Sequence, residues 1–189
     1  MKAFQRRGKD AVASLDRHER AVLSAAFEEV AELLDDSSSA PSPSDVDPAL
    51  LRLLPDAAPS DPEVSDEFRR LTEEDLRTHK SDRLKSVHDA LAGEGQEWVV
   101  SLDEGLSTAA ALTDVRLVIA ARLGLETDED ATLLSGELEV AAGLLEGDLP
   151  EGLGLDHKRI WLASVYQALT WLQDSLIACL MDKKGRRDE

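Results

Sequence analysis

The chain holds 189 residues, 42% of them apolar and 32% charged, which suits one domain with a real core under a well-charged surface. Its 39 acids against 21 bases give a net charge of −18, which disfavours a protein whose main affinity is for phosphate backbones or anionic lipid. A single cysteine excludes an internal disulfide and any thiolate-cluster metal site.

Residues 2–14 read as a hairpin: Ala3, Phe4 and then Val12, Ala13 flank a turn at Gly8-Lys9-Asp10. Lys2, Arg6, Arg7 and Lys9 cluster there without the apolar run of a signal peptide after them. Asp16, with Glu19 three residues on, predicts a capping box and a helix start. Val22, Leu23, Ala26, Phe27, Val30, Leu33 and Leu34 follow as one apolar stripe at helical spacing.

Ser37 to Ser44, with two prolines among small polar residues, reads as a linker, taken over 37–46. Asp47-Pro48 opens a short helix to Leu54, and Asp61-Pro62 repeats that signal for a segment to about Leu71. Thr72, with Asp75 three residues later, predicts the cap of a separate helix that ends near Leu91 before Gly93 and Gly95. Arg69, Arg70, Arg77, Lys80, Arg83 and Lys85 make this the densest basic run outside the chain ends.

Trp98-Val-Val100 is β-branched and aromatic, and reads as a third strand added to the hairpin. Ser101 and Asp103 compete as caps for a helix to about Leu123, closed by Gly124. That helix is apolar almost all round and so belongs in the centre of a bundle. An acidic helix is expected around Ala131–Leu145, then a loop over Gly147–Gly154 and a long helix over Asp156–Met181. Trp161, Val165, Ala168, Leu172, Leu176 and Cys179 form its apolar stripe. The expected fold is mainly α: a single-domain helical bundle over 1–189 with a small N-terminal β element and a disordered tail at 183–189.

The acidity is local. Residues 31–68 hold ten acids against Arg52 alone, and residues 126–156 hold ten with no Lys or Arg, leaving the remainder close to neutral. Solvated faces explain this, and so does a surface that docks a basic partner. No window approaches the ~20 uninterrupted apolar residues of a membrane span, so a cytoplasmic chain without membrane contact is expected.

No motif carries catalysis. His18, His79, His88 and His157 lack ligand spacing on one helix face, and no phosphate loop or nucleophile elbow occurs. No enzyme, cofactor or metal is therefore expected, and a metal-dependent enzyme is the most distant reading. Asp114 and Arg116 interrupt the most apolar helix. Standing two apart, they point in different directions, so each should meet a partner on another helix or line a pocket. Cys179 reads as a packed small hydrophobe or as a redox thiol whose pKa Lys183 and Lys184 could lower.

Several segments resemble a known family. They are Phe4-Gln-Arg-Arg-Gly, Leu15-Asp-Arg-His-Glu19, Asp47-Pro-Ala-Leu-Leu-Arg-Leu-Leu-Pro-Asp56 and Glu67-Phe-Arg-Arg-Leu-Thr-Glu-Glu-Asp-Leu-Arg77. The most telling are Ala111-Leu-Thr-Asp-Val-Arg-Leu-Val-Ile-Ala-Ala-Arg-Leu-Gly124 and Tyr166-Gln-Ala-Leu-Thr-Trp-Leu-Gln-Asp-Ser-Leu176, which contain Asp114, Arg116, Arg122, Trp171 and Gln173. Together they resemble the actinobacterial family first defined as domain of unknown function 2017 and later named as oxidative-stress transcriptional regulators. The resemblance implies a cytoplasmic regulator that answers oxidation and acts on transcription with an alternative sigma factor. It also implies a switch disulfide within the chain, whereas Cys179 stands alone and Thr113 replaces the usual Asn. The switch is then absent, or works between chains, or the regulatory role stops short of this member.

Two readings follow. One is a transcription-associated regulator acting through protein contacts, with Arg6, Arg7, Arg69, Arg70, Arg77, Lys80 and Arg83 as a basic patch that reaches DNA only indirectly. The other is a structural adaptor, a homodimer built on the Trp161–Cys179 helix.

Overall fold

A computed structural model describes residues 1–36, 47–56, 58, 60–145 and 156–182. The linker read at 37–46, the loop at 147–154 and the tail at 183–189 lie outside the described residues, as do Lys183 and Lys184. The elements are β1 (Lys2–Arg7), β2 (Asp10–Ser14), α1 (Arg17–Asp36), α2 (Pro48–Leu53), α3 (Pro62–Ala92), β3 (Glu97–Ser101), α4 (Gly105–Leu123), α5 (Asp128–Leu145) and α6 (His157–Met181). The protein is mainly α, with a small three-stranded antiparallel sheet in the order β1-β2-β3.

Gly8, at φ +66°, makes the tight turn between β1 and β2. β3 adds to the free edge of β2, with Ala11 opposite Val100 and Ala13 opposite Trp98. Alternation puts Trp98 and Val100 inward and Val99 outward. Phe4 and Trp98 meet with ring centroids 5.0 Å apart, and the Phe4 amide donates to Ser175 Oγ of α6 at 3.0 Å. The sheet thus closes one end of the bundle over α6.

The capping box forms: the Glu19 amide donates to Asp16 Oδ1 and the Asp16 amide to Glu19 Oε2, both at 2.8 Å. α1 then pairs with α3, and each helix end is capped from the other helix. Arg20, 5% exposed, donates to the carbonyls of Ala90 and Leu91 at the end of α3 and of Glu97 beyond it. Arg77 in turn donates to the Leu34 carbonyl in the last turn of α1. The last carbonyls of a helix lack intrahelical donors and carry the negative end of its dipole, so a guanidinium answers both needs.

α3 corrects the sequence reading. Thr72 does not start a new helix; one helix runs from Pro62 to Ala92. No Pro or Gly interrupts it after Pro62, and the Thr72 hydroxyl bonds back to the Phe68 carbonyl four residues earlier, at 2.9 Å. The start of α4 differs too: Glu104 is its N-cap and makes no side-chain capping bond. Ser101 Oγ instead accepts from the Glu104 amide at 3.3 Å in the preceding turn.

α4 occupies the centre, packed against α1, α2, α3 and α6, as a helix without a polar face requires. It ends at Gly124, φ +70°, where the Leu125 amide reaches back to the Ala120 carbonyl. α5 lies on α6 through Leu134, which is buried, and Leu138. Among the described residues no helix is long and apolar enough to cross a membrane.

Candidate protein-docking groove

The two charges of α4 go to different neighbours. Asp114, 1% exposed, faces α3, where Lys80 Nζ donates to Oδ1 at 2.6 Å and the Arg83 guanidinium grips Oδ2, with Nε at 2.9 Å. One buried carboxylate therefore gathers two cations and ties α4 to α3. Arg116 turns to α6. Its Nη1 donates to Gln173 Oε1 at 2.6 Å and its Nη2 to the Tyr166 hydroxyl at 3.3 Å, with the guanidinium carbon 5.1 Å from the Tyr166 ring centre. Gln173 completes the seam by donating to Thr113 Oγ1 and to the Ala109 carbonyl. Neutral groups hold this cation, and its buried Nε has no partner among the described residues. Arg122 lies further along, in a fork with Asp47 at 2.8 and 2.5 Å that fastens the start of α2 to α4. This pairing holds the Asp47 carboxyl below its usual pKa.

The basic run of α3 is spent inside the molecule. Besides Lys80, Arg83 and Arg77, Arg69 bonds Asp56 and Glu73, Arg70 bonds Glu67, and Lys85 bonds Asp35. Arg7 is paired with Glu97, and Arg6 donates to the Asp182 carbonyl. The residues read as a basic patch thus lie in different places, each against an acceptor.

Cys179 is buried in α6, and burial pushes its thiol pKa up. Such a thiol stays protonated at neutral pH and is a poor nucleophile. Among the described residues no group of three His, Cys, Asp or Glu is placed to hold a metal ion.

A groove of about 320 Å³ opens where α1, α4 and α6 meet. Val115, Val118 and Ile119 of α4 form its floor, Ala21, Val22, Ala25 and Ala26 of α1 one wall, and Trp161, Leu162 and Val165 of α6 the other. The small alanines of α1 leave the space. Trp161 lies on the same helical face as the buried Val165, Leu172 and Cys179, yet it is 52% exposed. This corrects the expected stripe: the core-facing side of α6 runs beyond the core at its first turns, because nothing there covers it. Trp171, the other exposed tryptophan, points away from that face at 45% exposure. The rim is charged by His18, Glu29 and Arg122, and Glu28 and Glu32 stand exposed along the same side of α1.

The groove's size suits one or two large side chains from a partner helix, the usual form of an anchor in an apolar groove. Sequence reasoning missed the groove because its residues, read one element at a time, are all ordinary core positions. The exposed alanines at 21 and 25, beside an otherwise regular apolar stripe, were the available signal.

The model of the family described as Domain of unknown function (DUF2017) matches residues 1–180, and the chain belongs to that family. No curated protein matches the chain, and no solved structure does.

Proposed function

We propose that this protein is a cytoplasmic regulator of transcription in the oxidative-stress response that works by docking a partner protein, with the groove between α1, α4 and α6 as the docking site. The observation that carries the reading is Trp161, a large aromatic on the core-facing side of α6 that remains half exposed beside an apolar groove. Aromatic anchors beside small-residue walls are where binding energy concentrates in protein interfaces.

The partner's chemistry follows from the rim. Glu28, Glu29 and Glu32 border the groove, and the chain as a whole carries −18. The fitting partner is an amphipathic helix with large apolar residues on one face and Lys or Arg beside them. Sequence resemblance selects an alternative sigma factor as the protein that supplies this helix. The internal pairing of the α3 bases favours recruitment through protein contact over direct contact with DNA. Because the Cys179 thiol is buried, we assign the oxidant chemistry to the partner.

Titration calorimetry with the purified alternative sigma factor of the same organism tests the reading. Binding should weaken by about 2 kcal/mol or more in Trp161→Ala, and Ala25→Arg, which fills the groove, should abolish it. Salt should weaken it further, since exposed charges at the rim are screened. Wild-type affinity in both variants would remove the groove from the account.

A further inference from the structure

The outer side of α3 changes character along its length. Opposite the buried Leu84, Val87 and Leu91, the residues from Asp75 onward are polar and exposed: Asp75, Asp82, Ser86 and Asp89. Over the first turns the same line carries Val64, Phe68 and Leu71 instead, 54%, 52% and 61% exposed. Their i, i+4, i+7 spacing is the spacing by which two helices pack side by side, and three large apolar groups in line are a contiguous patch. Along one edge of this stripe stand Glu67 and Arg70, both exposed and paired with each other at 2.7 Å.

We propose that this stripe seats a second copy of the same chain, with the two α3 helices antiparallel and stripe against stripe. A twofold contact must be complementary to itself, because the same residues serve both sides. With Phe68 of each copy against Leu71 of the other, the axis falls between those positions. Glu67 of one copy then stands within one helical turn of Arg70 of the other. The pair made within each helix is exchanged for two pairs between helices, whereas an edge of one sign would repel itself. The stripe is short, so the dimer is weak, with dissociation on the order of tens of micromolar. This contact lies apart from the groove and does not depend on it.

Sedimentation velocity on the full chain, from about 1 to about 200 µM, tests the proposal. The mass should rise from one chain toward two, and Phe68→Glu should hold it at one. Glu67→Arg and Arg70→Glu each set like charges across the axis in both places, so each should weaken association about tenfold. An equimolar mixture of those two variants places Arg opposite Glu twice and should associate as the wild type does. Since the pairing inside each variant chain stays broken, recovery in the mixture reads contact between copies alone. A wild-type mass that stays at one chain overturns the proposal, and so does a mixture no stronger than its components. Dimers that survive Phe68→Glu but vanish in Trp161→Ala would move the contact to the groove and overturn it equally.

Discussion

On the side of α4 that faces α3, Asp114 is 1% exposed and satisfied by Lys80 and Arg83. On the side that faces α1 and α6, Val118 and Ile119 lie at the bottom of a groove whose wall includes a half-exposed tryptophan. The first side is closed by charge and the second is left open with apolar groups. Two cations around one buried carboxylate can be satisfied in only a few geometries, so that contact sets how α3 sits on α4. An apolar groove lined by alanines imposes no such geometry and can accept a side chain from elsewhere. One helix therefore serves as a fixed anchor on one side and as the floor of a docking surface on the other.

The comparison breaks first at Asp114. Asp114→Asn leaves two cations facing a neutral amide beneath α3, and should cost about 3–5 kcal/mol, read as a fall in the denaturant midpoint at unchanged slope. A loss below about 1 kcal/mol would show that solvent already screens the cluster. Arg20→Met comes next. It removes three charge-assisted bonds to the end of α3 and its connection to β3 while keeping the aliphatic stem, and should cost about 2–3 kcal/mol. Hydrogen exchange should show the cost concentrated at residues 88–93.

On the open side the order reverses. Trp161→Ala should change stability by less than about 1 kcal/mol, since half of the side chain is already in water. A Trp161→Ala protein as damaged as Asp114→Asn would mean that the groove is part of the core, and the contrast would collapse.

The surface pairs define the smallest energetic effect. Lys85 and Ser81 lower the pKa of Asp35, and Arg122 lowers that of Asp47. Carboxylates with lowered folded pKa values contribute stability that is fully present above the unfolded value and lost as pH falls through the folded one. Unfolding followed from pH 6 down to pH 2 should therefore show stability declining below about pH 4. Asp35→Asn and Asp47→Asn should flatten that decline by a few tenths of a kcal/mol each, as expected for pairs largely in solvent. Cys179 gives a kinetic counterpart: iodoacetamide should label it far more slowly in the folded chain than in denaturant, because the thiol is buried and its pKa raised.

Local chemistry made much of the fold legible. Asp16 and Glu19 form the capping box their spacing announces, Gly124 ends α4 in the left-handed conformation, and Trp98-Val-Val100 joins the hairpin through β2. The mainly α bundle with its small sheet follows from such signals, because each depends on neighbours within a few residues. The break placed at Thr72 failed for the same reason: a cap residue inside a helix can bond backward as readily as forward, and only the packing of α3 on α1 decides. That Asp114 and Arg116 look to different helices was also legible from their two-residue separation. Their partners were not, since Lys80, Arg83, Tyr166 and Gln173 are brought in by how three helices dock. Most of all, the groove is a missing neighbour, and a sequence pattern marks apolar residues without saying which of them end up uncovered.

The three tryptophans supply the most direct test of the docking account. Trp98 is buried under the sheet, Trp161 lines the groove, and Trp171 is exposed away from that face. In a ¹⁵N-labelled chain their indole N–H groups give three separate signals, which can be followed while the alternative sigma factor is titrated in. The account predicts a large saturable shift or broadening of the Trp161 indole with Trp171 nearly unmoved. Binding that shifts Trp171 and leaves Trp161 in place would contradict it.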